Sequence, residues 1–169
     1  PTRKQTPPIC SRNWACSLTD AIAREERPAG PLTLIADRAA IRNFLDRHAA
    51  GHRIRIDKVE PGHAWVHQTV TEEDLRPGGT ISGPTVMALV DGAAYVIVLA
   101  HVGTEPLTVT SNLNIHFLRR PEAGYTLEAK ASILRRGQRS ILAEVTVNSK
   151  GRTQPVAHAV VAYAIVGSD

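Results

Sequence analysis

The sequence predicts an α+β domain in which one long helix lies against a strongly curved antiparallel sheet. Three observations lead there. Residues 83–101 are apolar at nearly every position, so as a helix they must be wrapped by other structure. After them the period drops to two: residues 107–117, 125–133 and 141–147 alternate apolar with polar. The joints Pro121-Glu122-Ala123-Gly124, Arg136-Gly137-Gln138 and Ser149-Lys150-Gly151 are short and turn-like. Short joints between alternating strands imply an antiparallel meander. Residues 83–101 are the only apolar element large enough to cover its apolar face.

The composition of the 169 residues is ordinary for one globular domain with a real core. Net charge is +4 and the pI is near 9.5. The Arg residues are spread out rather than grouped with aromatics, so no nucleic-acid partner is implied. A phosphate-bearing substrate and a plain solvated surface both fit this charge. No run has the length and flanks of a membrane span; residues 83–101 come nearest but contain Asp91 and two glycines. No secretory apolar segment opens the sequence, and a cytoplasmic location with no membrane partner is expected. Cys10 and Cys16 suit neither a redox pair nor a zinc knuckle and are expected to be unpaired thiols.

In chain order, residues 1–31 lack a sustained period and are expected to be a flexible extension of a single domain, 32–169. Residues 18–26 could form a short helix, ended by the Pro-Ala-Gly-Pro of 28–31. Residues 33–50 predict a helix with Leu34, Ile35, Ile41, Phe44 and Leu45 on one stripe and Gly51 as its stop. Residues 53–59 alternate around Ile54 and Ile56, Pro61-Gly62 turns the chain, and 64–70 form a second strand. Residues 71–82 carry turn chemistry.

For 83–101 two readings compete. Asp91-Gly92 between apolar runs is a hairpin signal. The four Ala with Leu89, Leu99 and Met87, and the start Ser82-Gly83-Pro84, favour a helix: Ser82 or Gly83 caps, and Pro84 suits the first turn. Beyond it, Leu107, Val109, Ser111, Leu113, Ile115 and Phe117 share the expected apolar face of their strand. Thr108, Thr110, Asn112, Asn114 and His116 share the other face. Strict alternation therefore turns Thr110 away from its own helix unless a bulge shifts the register. In the next strands, Tyr125, Leu127, Ala129, Ala131 and Ile133, then Ile141, Ala143, Val145 and Val147, share the apolar face. Residues 156–165 make a last, more apolar strand.

Asp91 is the residue to explain. An ionised carboxylate in an apolar helix is costly unless something pairs with it. It is either a structural acid bonded to a neighbour or a chemical group. His63 and His67 lie four apart on a strand, about 13 Å, which no metal bridges. No metal and no cofactor are expected, and no nucleophile-elbow, P-loop or dinucleotide fingerprint occurs.

The chain resembles the hotdog-fold acyl-CoA thioesterases, in particular the phenylacetate-degradation type, over residues 52–166. The carrying residues are Arg76-Pro77-Gly78-Gly79-Thr80-Ile81-Ser82-Gly83-Pro84 and Met87-Ala88-Leu89-Val90-Asp91-Gly92-Ala93. Val109-Thr110, Leu113-Asn114-Ile115-His116-Phe117-Leu118-Arg119-Arg120-Pro121 and Gly137-Gln138-Arg139 complete them. The resemblance implies hydrolysis of an acyl-CoA thioester to a carboxylic acid and free CoA. In that family a His-Gly-Gly step opens the helix, and an acid eight positions after the first Gly does the chemistry. Gly83 and Asp91 match, while the His falls on Ser82, the second Gly on Pro84, and an upstream Asn on Arg76. A hydroxyl residue that places water falls on Thr110. The substrate-binding candidates are Arg76, Ser82, Asn114 and the hairpin residues Arg135, Arg136 and Arg139, whose guanidinium groups suit the phosphates of CoA.

Thioester hydrolysis needs a donor for the carbonyl oxygen and a carboxylate that attacks or activates water. The Gly83 N–H at a helix start can be that donor. At a rise of about 1.5 Å per residue, Asp91 lies roughly 12 Å along the same helix. If both take part on one carbonyl, they come from different subunits, and a homo-oligomer, a dimer or a dimer of dimers, is expected. Two other readings stand beside this one. The departures at Ser82, Pro84 and Arg76 suit a non-catalytic acyl-CoA-binding protein. A hydratase would call for a His with an acid, and no His lies in or just before the first two turns of this helix.

Overall fold

The computed structural model describes residues 32–49, 51–104 and 107–166, all within the chain unit Pro31–Asp169. The expected extension, its short helix, Cys10 and Cys16 lie outside the described residues.

Helix α1 spans Arg38–His48 and buries Ile41 and Leu45. It starts later than periodicity suggests because the Asp37 carboxylate accepts from Ala40 N–H at 2.8 Å and caps it. Leu34 and Ile35 are therefore not on its stripe; both are exposed. The Ile35 and Ala36 N–H groups instead bond the Ala100 carbonyl.

Helix α2, Gly83–Val102, is the axis of the fold. The Ser82 hydroxyl accepts from Thr85 N–H at 3.4 Å, Pro84 occupies the first turn, and Gly103 at φ 95° ends it. The Asp91-Gly92 hairpin signal is overridden: the helix begun by the Ser82 cap and Pro84 runs unbroken through both residues and satisfies its own backbone bonds. By length and composition α2 could cross a membrane, but 67% of its most apolar stretch is buried within the fold. It comes so close to the sheet at Gly92 that an added Cβ would lie 1.8 Å from Ile54 Cδ1. It is not wrapped on every side: Pro84, Met87 and Ala88 are exposed and Asp91 is half-buried.

Eight strands follow in chain order: β1 Ile54–Glu60, β2 His63–Gln68, β3 Leu75–Arg76, β4 Thr80–Ile81, β5 Leu107–Phe117, β6 Leu127–Arg136, β7 Ser140–Ser149 and β8 Pro155–Val166. Six form one antiparallel sheet in the order β1-β2-β6-β7-β8-β5. This is the hotdog fold. Strands β6, β7 and β8 make the expected meander, and Ile141, Ala143, Val145 and Val147 of β7 are fully buried toward α2.

Two expectations are corrected. The meander does not include β5, which skips β6 and pairs with β8 at the sheet edge. Residues 118–126 carry the chain across: Leu118 and Arg119 N–H bond the Val156 carbonyl, and Ile81 N–H bonds the Pro121 carbonyl. The face of β5 is also not uniform. Thr110 pairs with Tyr163 and Asn112 with Ala162, so Ser111 is an extra residue in a bulge. Before the bulge Thr108 is buried while Leu107 and Val109 are exposed; after it Leu113 and Ile115 turn inward. In the segment read as turns, β3 and β4 form a short pair of their own.

Candidate active site

Asp91 sits on the uncovered side of α2, opposite the bulged stretch of β5. The bulge turns Thr110 toward the helix, and its hydroxyl donates to Asp91 Oδ1 at 2.8 Å. The Tyr163 hydroxyl lies 2.8 Å from the same oxygen and 3.2 Å from the Asp91 carbonyl. Tyr163 is buried, and its ring stacks on Tyr95 with centroids 5.8 Å apart. Burial, and then the charge of Asp91, push the phenol above its ordinary range, so it stays protonated and can donate. Two donors therefore grip Oδ1, and Oδ2 has no protein partner among the described residues.

The start of α2 is held by a second acid that the sequence reading missed. Asp74 is 5% exposed. Its Oδ2 accepts from the Thr71 N–H at 2.7 Å and the Thr71 hydroxyl at 3.1 Å. Its Oδ1 accepts from the Thr85 hydroxyl at 3.1 Å and from the Arg53 guanidinium. Burial works against its charge, but the bonds from Thr71, Arg53 and Thr85 outweigh that and hold the carboxyl below the usual range. The Asp74 carbonyl accepts the Ser82 N–H at 2.7 Å. Asp74 thus fixes where α2 begins, and with it the Gly83 N–H, one of the first-turn amides that a helix leaves free. The ring of Phe117 flanks this amide, 3.5 Å from where a Cβ on Gly83 would sit. Among three acids in a row, Glu72, Glu73 and Asp74, only the cap pattern from Thr71 could have singled out Asp74.

The thioesterase superfamily model matches residues 78–156. A Silicibacter protein classed as a thioesterase is 34% identical, over 82% of this chain and 97% of its own, with a TM-score of 0.75. This chain belongs to the thioesterase superfamily. It is a thioester hydrolase. The E. coli PaaI protein of the phenylacetic acid degradation operon superposes with a TM-score of 0.66 at 21% identity, covering 79% of this chain and 98% of its own. A Streptococcus mutans protein bound to acetyl CoA gives 0.62 at 23%, covering 70% and 93%. These last two show the shared fold. No curated protein matches the sequence at a significant level.

The fold brings together some of this thioesterase's candidate residues and separates others. Asp91 and Thr110 meet in one chain, and Tyr163 joins them. Tyr163 was readable only as a tyrosine on an apolar strand, whose hydroxyl needs a partner when buried. Ser82 caps α2 and also bonds Thr85 Oγ1 at 2.9 Å. Arg76 Nε donates to Thr80 Oγ1 at 2.8 Å, within the β3–β4 pair. Asn114 is exposed on β5 beyond the bulge, opposite Val160. Arg135, Arg136 and Arg139 lie at the β6–β7 hairpin, where Arg136 Nη2 donates to the His101 carbonyl at 2.9 Å. That is the far end of α2 from Gly83. His63 and His67 have separate partners, Ser132 at 3.2 Å and Asp57 at 2.7 Å.

Proposed function

We propose that this thioesterase hydrolyses acyl-CoA thioesters at sites shared between two copies of the chain. One copy supplies Asp91 and the other supplies the Gly83 N–H. The observation that carries the reading is the half-held carboxylate: Thr110 and Tyr163 fix Asp91 Oδ1 and leave Oδ2 free on an uncovered helix face. Either Oδ2 attacks the acyl carbon and water later cleaves the acyl-enzyme, or it takes a proton as water attacks directly. In both courses the C–S bond breaks, the sulfur leaves as the CoA thiol, and the acyl group leaves as a carboxylic acid. The Gly83 N–H, at the positive end of α2, stabilises the charge that develops on the carbonyl oxygen.

A two-fold assembly is supported by what one chain leaves bare. Pro84, Met87, Ala88 and Asp91 form an uncovered stripe on α2. Strand β5 is a free edge eleven residues long that exposes Leu107, Val109 and Phe117. Long free edges invite pairing. The acetyl CoA bound by the Streptococcus mutans protein supports CoA as the thiol. The unit that acts is residues 32–169.

Thiol release from a panel of acyl-CoAs, with Asp91→Asn alongside, tests the proposal. Asp91→Asn should abolish turnover while leaving the melting temperature and ligand binding close to those of the parent. Unchanged hydrolysis would make Asp91 a structural acid.

A further inference from the structure

We infer that Thr85 and Asp74 are positioning residues for the reaction: a one-way hydroxyl chain from Ser82 through Thr85 to Asp74 holds the Gly83 N–H in place and turns the Ser82 proton away from the substrate. The inference rests on the Gly83 donor proposed above and adds two residues to it. The direction of the chain follows from counting protons. An ionised carboxylate only accepts, and a hydroxyl carries one proton. The bonds from Thr71, Arg53 and Thr85 keep the Asp74 carboxyl ionised. The Thr85 hydroxyl donates its proton to Asp74 Oδ1 at 3.1 Å. Its contact with Ser82 Oγ at 2.9 Å must therefore be one that it accepts. The Ser82 hydroxyl thus points inward, and its oxygen receives the Thr85 N–H at 3.4 Å.

The other donors at the helix start are committed as well. Pro84 has no N–H, and the Val86 N–H bonds the Ser82 carbonyl at 3.3 Å. The Ser82 N–H bonds the Asp74 carbonyl at 2.7 Å. Of the donors from Ser82 to Val86, only the Gly83 N–H has no partner among the described residues. Ser82 is held to Asp74 twice, by its backbone N–H and, through Thr85, by its hydroxyl. The peptide that follows Ser82 carries the Gly83 N–H, so its orientation depends on Asp74. The base of the chain is anchored in turn. Arg53 Nη1 donates to Thr71 Oγ1 at 3.1 Å, and the same guanidinium meets Asp74 Oδ1. Thr85 and Asp74 are both buried and act through Ser82 rather than on the thioester. A donor for a developing charge works only at a fixed place, and a small displacement costs rate.

The test measures thiol release from the acyl-CoA of the panel above that the parent turns over fastest. The variants are Thr85→Val, Thr85→Ser, Ser82→Ala and Ser82→Ala/Thr85→Val, with Gly83→Val as the control. Thr85→Val keeps the side chain's shape but breaks the chain, so kcat should fall at least about tenfold with KM within about twofold of the parent. Thr85→Ser should restore kcat. Ser82→Ala breaks the same chain, so the double variant should fall no further than Ser82→Ala alone. A parent-like kcat in Thr85→Val while Gly83→Val is inactive overturns the inference alone. So does a further loss of about a hundredfold when Ser82→Ala is added to Thr85→Val, since Ser82 would then donate to the substrate directly. A parent-like kcat in Gly83→Val overturns the donor reading and the inference with it. Should a variant fail to fold, or the whole panel go unhydrolysed, neutron diffraction from parent crystals in D2O decides. A Ser82 deuteron on the line to Thr85 Oγ1 supports the chain, and one pointing to solvent overturns it.

Discussion

Asp91 and the Gly83 N–H lie roughly 12 Å apart along one helix, so cooperation between them requires two chains. The consequence can be measured by mixing two inactive variants. Asp91→Asn removes the carboxylate. Gly83→Val blocks the donor: Gly83 has an ordinary negative φ, its Cβ would meet Phe117 at 3.5 Å, and the added methyls occupy the space a carbonyl must enter. Neither change strains the backbone, so both chains should fold. Random re-association of equal amounts makes about half of the dimers mixed, and each mixed dimer has one intact site of two. Roughly a quarter of parent activity per chain should return if the sites act independently. The assay is thiol release before and after mixing, with heterodimers counted by native mass spectrometry. Heterodimers without activity would refute the shared site and assign Asp91 a donor from its own chain.

Three further outcomes are expected. Tyr163→Phe removes one of the two donors on Oδ1; a hydrogen bond to a charged group is worth about 1.5–3 kcal/mol, so kcat should fall roughly ten- to a hundredfold with KM little changed. An unchanged kcat would make the phenol a packing group. His101 is fully buried and neutral, with Nε2 accepting from Gly62 N–H at 3.0 Å and Nδ1 donating to the Ile97 carbonyl at 2.9 Å. Burial, with Arg136 nearby, lowers its pKa below 6.5. Its contribution is therefore complete above pH 6.5 and lost as pH falls through the folded value, by at most about 1.4 kcal/mol per pH unit. The urea midpoint should drop between pH 7.5 and 5.5, and His101→Gln should flatten that drop; equal slopes would exclude His101 as its cause. Finally, Gly92→Ala should cost about 1–3 kcal/mol through its clash with Ile54, with Ile54→Ala in the same chain restoring part of it. Additive losses in the melting temperatures would show that the two positions do not meet.

Much of the framework was legible because it rests on local chemistry. The Ser82 cap, Pro84 in the first turn and an unbroken apolar run specify α2 whatever surrounds it. Leu127 to Ala131 and Ile141 to Val147 alternate cleanly because each strand has one face on the helix. Asp91 stood out because charge is rare in such a helix. Where local signals competed, the reading went astray. Leu34 and Ile35 suit a helical stripe, yet Asp37 caps the helix after them and leaves them exposed.

The sequence by itself determined a long apolar helix with one acid in it, against a curved sheet of alternating strands. The tertiary structure decided what that acid touches. Thr110 reaches Asp91 only because pairing with β8 forces Ser111 out of register, and a register is a property of two strands. Tyr163 is 72 residues from Asp91 and meets it only once β5 and β8 are neighbours. Periodicity reads the environment of a residue along the chain; contacts between distant strands depend on sheet order and bulges, which no local pattern encodes.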